Sequence, residues 1–243
     1  ISCIFRYPLR HIKRSTRCLC PKGTPLWLLI LVLLPAQASG GNGIEPFSAD
    51  YAITRSGLNI ERKVELIRSG QHYHLTASTR LKGLGSLTGI GTVVEHSHFQ
   101  LHSGRIRPNL YTADDGTEAD NRAIRIEFDW SSGTSHVHYR GTELTMPLTP
   151  NALDPLSFEL MARIDIRQGV TEPLYTVHEG DQLRPYRFVL EQAETVIIGG
   201  QPVKSLRYFI DRKSSRQLYY WLSPKLDYLV VKLKQLRKGK VKA

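Results

Sequence analysis

Arg122-Ala123-Ile124-Arg125-Ile126-Glu127-Phe128-Asp129-Trp130 alternates strictly: Ile124, Ile126, Phe128 and Trp130 are apolar, while Arg125, Glu127 and Asp129 are charged. Successive side chains of an extended strand point to opposite faces, so this segment reads as a strand with one face in a core and the other in water. The same period of two recurs upstream over residues 47–54, 58–67, 72–79 and 92–99. It recurs downstream over 134–139, 143–148, 174–178, 183–190, 195–198, 203–211, 216–222 and 228–236. Turn dipeptides punctuate these runs, among them Ser56-Gly57, Ser69-Gly70, Ser103-Gly104, Ser132-Gly133 and Gly199-Gly200.

Connections this short favour antiparallel neighbours, and strand twist accumulates as strands are added. The chain is therefore expected to be all-β with one or two minor helices: a long antiparallel meander curled into an open or closed barrel-like sheet with a covering helix. Tyr219-Tyr220-Trp221-Leu222 puts large apolar groups on both faces of one strand, which must be covered on two sides. One helix is expected where Asp154 can cap, Pro155 suits the first position and Leu156, Leu160, Met161 and Ile164 form a stripe that ends at Gly169.

Residues 1–38 read as a cleaved signal peptide. Arg6, Arg10, Lys13, Arg14, Arg17 and Lys22 precede an apolar core, Leu26 to Leu34, and the small-x-small site Pro35-Ala36-Gln37-Ala38. That core is too short to cross ~30 Å of hydrocarbon, which takes about 20 residues. The expectation is a periplasmic protein, exported and soluble, with residues 39–243 forming a single β-rich domain. Cys3, Cys18 and Cys20 all precede the apolar core, so the mature chain has no cysteine for a disulfide or for lipid attachment.

The formal net charge of +11 does not indicate nucleic-acid binding. Six cations lie in the leader and six in the basic strand and tail 230–243 (Lys232, Lys234, Arg237, Lys238, Lys240, Lys242), which leaves 21 cations against 22 anions in the body. A nucleic-acid binder spreads its basic residues over a folded face. A terminal run is a solvated tail, at most a peripheral contact with anionic membrane.

Several short motifs resemble those of the DUF3108 family of bacterial exported proteins. They are Tyr51-Ala52-Ile53 followed by Gly57-Leu58, Lys82-Gly83-Leu84, Gly104-Arg105-Ile106-Arg107-Pro108, Asp154-Pro155-Leu156-Ser157, and Trp221-Leu222-Ser223-Pro224. Val230 stands where the family often has proline. The resemblance spans nearly the whole mature chain and implies an exported, predominantly β protein without an agreed activity. In outline such a fold is similar to the unclosed barrels with inserted helices that carry lipids or lipoproteins across the periplasm, a comparison of architecture alone.

Catalytic signatures are absent: there is no Gly-x-Ser-x-Gly, and the mature chain offers no thiol nucleophile. Asp154 reads as a helix cap rather than an acid catalyst. Asp114, Asp115, Glu118 and Asp120 lack the alternation of a calcium loop and read as a solvated loop. His72/His74, His96/His98 and His136/His138 place imidazoles on shared strand faces, with His102 adjacent to the second pair. We read these as surface histidines and expect no metal and no cofactor. Residues 81–90, with glycines at 83, 85 and 89, form a greasy loop that can cover a core or act as a lid.

The function expected is therefore non-enzymatic. The curved sheet shelters an apolar ligand such as a lipid acyl chain or a lipidated partner, with Leu84, Leu87, Trp130, Leu156, Leu160 and Trp221 as its lining. The alternatives are a filled-core β scaffold acting by contact with an envelope protein and, behind it, a histidine-based metal binder.

Overall fold

The structure, a computed structural model, describes residues 44–55, 57–83, 91–114, 116, 123–237 and 240–241. The leader, Leu84, Leu87, most of the glycine-rich loop and the acids Asp115, Glu118 and Asp120 lie outside the described residues.

Two sheets account for the fold. The first runs in chain order: β1 (Phe47–Arg55), β2 (Leu58–Ser69), β3 (His72–Leu81), β4 (Val93–His102), β5 (Arg105–Asp114), β6 (Ile124–Asp129), β7 (Thr134–Tyr139) and β8 (Thr142–Pro147). Every neighbouring pair in it is antiparallel. The second is equally sequential: β9 (Ala152–Leu153), β10 (Leu174–His178), β11 (Leu183–Ile198), β12 (Gln201–Asp211), β13 (Arg216–Ser223), β14 (Leu229–Arg237) and β15 (Lys240–Val241). The helix α1 (Ser157–Arg167) connects β9 to β10, the one parallel pair, because a parallel return needs a crossover.

The expected alternation holds in the opening segment. Ile126 and Phe128 are buried in the core, Ile124 and Trp130 pack against it, and Arg125 and Glu127 are exposed. Inward side chains of both curled sheets meet α1 in one apolar cluster, with Phe99, Ile126, Val177, Phe188, Ile210, Leu153 and Met161 all at 2% exposure or less. The centre of the barrel-like fold is thus packed, and α1 fills it. Tyr220 and Leu222 join this core, whereas Trp221 turns to the other face into a smaller cluster with Val196, Ile198 and Val231. The two-sided covering expected of β13 is present.

Two strand readings differ from the sequence expectation. Arg105–Asp114 is a strand, although the alternation marked none between the Ser103-Gly104 turn and the segment that opens at Arg122. A bulge makes room: Phe99 faces Pro108 and His98 faces Leu110, so Asn109 is the extra residue and the proline sits where the ladder is already interrupted. Segments 183–190 and 195–198 are one strand, β11, with Glu191 bulged out between Leu190 and Gln192. At the β4–β5 turn Ser103 and Gly104 have φ of 51° and 77°, both in the left-handed region that a two-residue hairpin turn requires.

Candidate functional site

Asp154 begins the site, though it is not part of any surface. It is wholly buried; its Oδ1 accepts the backbone N–H of Leu156 and of Ser157, both at 2.8 Å, and its Oδ2 accepts the Ser97 hydroxyl of β4 at 2.6 Å. The Asp154 N–H donates back to Ser157 Oγ at 3.0 Å. This reciprocal cap satisfies orphan donors of the first helical turn and ties it to the sheet. Burial pushes the Asp154 carboxyl above its usual range, against the pull of the hydrogen bonds from Ser97, Ser157 and Leu156.

The helix so anchored presents Leu156, Glu159, Leu160 and Arg163 to a cleft between the first and last long strands. Phe47, Tyr51 and Ile53 of β1 form one wall with Val64 and Leu75, and Leu229, Val230 and Leu233 of β14 form the other. β1 and β14 belong to different sheets, and among the described residues no strand pairing joins them. The cleft is therefore an unzipped seam of the barrel-like fold. Its volume is about 80 Å³.

Charged groups form its floor. Arg62 Nη1 donates to Glu95 Oε2 at 2.6 Å and to Thr79 Oγ1 at 2.9 Å, and the Tyr111 hydroxyl donates to Glu95 Oε1 at 2.9 Å. On the helix side the Tyr220 hydroxyl donates to Glu159 Oε1 at 2.5 Å. Burial raises the Glu159 carboxyl, and the nearby Arg62 guanidinium works in the opposite sense. Burial also acts against the Arg62 charge, but Glu95 and Glu159 more than offset it, so its pKa is raised. The Tyr220 and Tyr111 hydroxyls are likewise raised, first by burial and then by their carboxylates. Arg163 caps one end, with its guanidinium 4.4 Å from the Phe47 ring centre and 3.4 Å from Asp227 Oδ2.

Of the expected lining, Leu156 and Leu160 line this cleft. Trp221 does not, because alternation in β13 sends it outward; its Nε1 donates to Glu194 at 2.8 Å and Lys232 lies over its ring. Trp130 lies elsewhere too. It stacks beside Arg107 at 4.8 Å, donates to the Pro108 carbonyl at 2.6 Å and borders a hollow of about 430 Å³ with His102, Arg105 and Thr149. That hollow is larger than the seam cleft but open and more polar, so it offers an apolar chain less contact. Phe47, Arg62, Glu159 and Leu233 were missed from sequence, since no local pattern says that the first and last long strands face each other.

The histidines divide. His74, His96 and His98 share the outer face of β3–β4. His72 contacts Gln100, and His138 contacts Glu143 at 2.7 Å. His136 is exposed, and His102 borders the Trp130 hollow. Among the described residues no three His, Cys, Asp or Glu side chains are grouped to hold a metal. His178, outside the pairs read from sequence, is wholly buried with Nε2 2.8 Å from Ser135 Oγ. Both members of this Ser–His contact have zero exposure, so no substrate reaches them. Among the described residues no helix is long and apolar enough to cross a membrane.

A crystal structure of a beta-barrel-like protein of domain of unknown function DUF1849 from Brucella abortus is similar over 81% of this chain and 95% of its own, at 12% identity and a TM-score of 0.47. No curated protein matches the chain. The model of the family described as "Protein of unknown function (DUF3108)" matches residues 47–243, and the motifs that cap α1 and end β13 stand inside that match: the chain belongs to the DUF3108 family.

Proposed function

We propose that this protein is a non-enzymatic binding protein of the cell envelope whose seam cleft shelters the end of an apolar chain, from a lipid or a lipidated partner. The observation that carries the reading is a cleft walled by leucine, valine, isoleucine and aromatic side chains at a junction, between β1 and β14, where no ladder has to break. Apolar walls with a few convergent polar groups are the usual make-up of a ligand site. At about 80 Å³ the cleft holds only a few methylenes as it stands, about half the ~150 Å³ of an engineered cavity that accepts benzene. A longer segment must lie along the seam or part β1 from β14. The leader-like residues 1–38 support an envelope address, where acyl chains and lipidated proteins are abundant.

Native mass spectrometry of protein purified from the envelope, with displacement of a fluorescent fatty acid, tests this. Co-purified acyl ligand and saturable displacement are expected. Ligand-free protein that binds no fatty acid contradicts the proposal. That second outcome favours the scaffold reading, to which the packed centre lends support, and crosslinking in cells would then capture a stable protein partner.

A further inference from the structure

The outer face of β3 and β4 carries a cluster that the seam cleft does not use. Antiparallel register sets His74 opposite His98 and Thr76 opposite His96, so two His-x-His pairs from different strands fall into one patch. His74 Nε2 and His96 Nδ1 are 3.0 Å apart. Thr76 Oγ1 completes a triangle, 3.4 Å from the first nitrogen and 3.3 Å from the second. His98 stacks on His74 with ring centres 4.1 Å apart.

The point equidistant from these three donors lies about 1.9 Å from each, close to the ~2.0–2.2 Å of zinc–nitrogen and zinc–oxygen bonds. At 3.0 Å the two ring nitrogens share one N–H···N hydrogen bond, and a metal ion drawn to both would take the place of that proton once the donor ring changes tautomer. We propose that His74, His96 and Thr76 form a binding site for a divalent transition-metal ion, copper(II) foremost, with His98 as the flanking imidazole. Imidazole donors suit copper, nickel and zinc, and copper(II) leads the affinity order at nitrogen–oxygen sites. No carboxylate belongs to the triangle, which disfavours magnesium and calcium. Two imidazoles and a hydroxyl leave coordination positions open to solvent. The strands hold the donors in register before any metal arrives, which lowers the ordering cost of binding.

Tag-free protein titrated with copper(II) alone, followed by calorimetry and electron paramagnetic resonance, tests the site. One equivalent should bind with hyperfine coupling to two imidazole nitrogens. His74→Ala and His96→Ala should each weaken binding at least tenfold, while a His136→Ala/His138→Ala double variant, altered on another strand, should change it less than threefold. A readout free of variants is the ring proton spectrum: substoichiometric copper should broaden His74, His96 and His98 and leave His136 and buried His178 sharp. Absence of one-equivalent binding, undiminished binding in His74→Ala and His96→Ala, or broadening centred on His136 would each overturn the assignment.

Discussion

Asp154 shows how much of this fold rests on single buried polar atoms. Replacing it by alanine strands the N–H groups of Leu156 and Ser157 and the Ser97 hydroxyl in a site with no exposure. Loss of a cap and of buried partners together should cost roughly 2–4 kcal/mol, whereas Ser97→Ala should cost about 1 kcal/mol, both read by urea unfolding. The capping role was legible from Asp154-Pro155. Its partner was not, because Ser97 lies on another strand and nothing local marks it. His178 makes a second case. Burial holds its pKa at about 4, below the ordinary 6.5, so its contribution to stability is complete above pH 6.5 and is lost as pH falls from 6.5 toward 4. The full effect is on the order of 3 kcal/mol. The raised carboxyls of Asp154 and Glu159 act in the opposite direction, so the test is a comparison. Between pH 7 and pH 4, the wild type should lose more stability than His178→Gln, and parallel profiles would contradict the assignment.

At the scale of elements, period-two alternation located most strands because each has one inward face. It missed β5, where Pro108 occupies a bulge, and it split β11 at the bulged Glu191, since a bulge shifts the alternation by one residue. The helix was legible from its cap and stripe, and so was its packing inside the curve of the sheet, but that two separate sheets enclose it was not. The consequences can be measured at Leu160, at 3% exposure on α1, and at half-buried Leu233 on β14. Leu160→Ala should cost about 2–4 kcal/mol through the cavity it leaves. Leu233→Trp fills the seam from its rim. It should lower fatty-acid affinity at least tenfold while shifting stability by less than about 1.5 kcal/mol, and unchanged affinity would place the ligand elsewhere.

For the molecule as a whole, the barrel-like outline followed from strand number and short turns, while the location of free space did not. A hollow under the whole sheet was expected. Instead the centre is packed by α1 and the side chains of both sheets, and an apolar cleft lies at the seam between β1 and β14. Packing of this density resists compression but leaves an unpaired seam as the soft direction, since parting it breaks side-chain contacts and no ladder. Of the residues expected to touch a ligand, those on the helix head line that space. The tryptophans fall outside it for local reasons, Trp221 by strand alternation and Trp130 by the turn that follows β6. The most direct measurement is paramagnetic broadening of methyl signals by a nitroxide-labelled stearate. Signals of Leu160, Leu229, Val230 and Leu233 should broaden saturably while those of Ile106 and Leu148, beside the Trp130 hollow, stay sharp. Uniformly sharp methyls, or broadening confined to Ile106 and Leu148, would contradict a ligand in the seam.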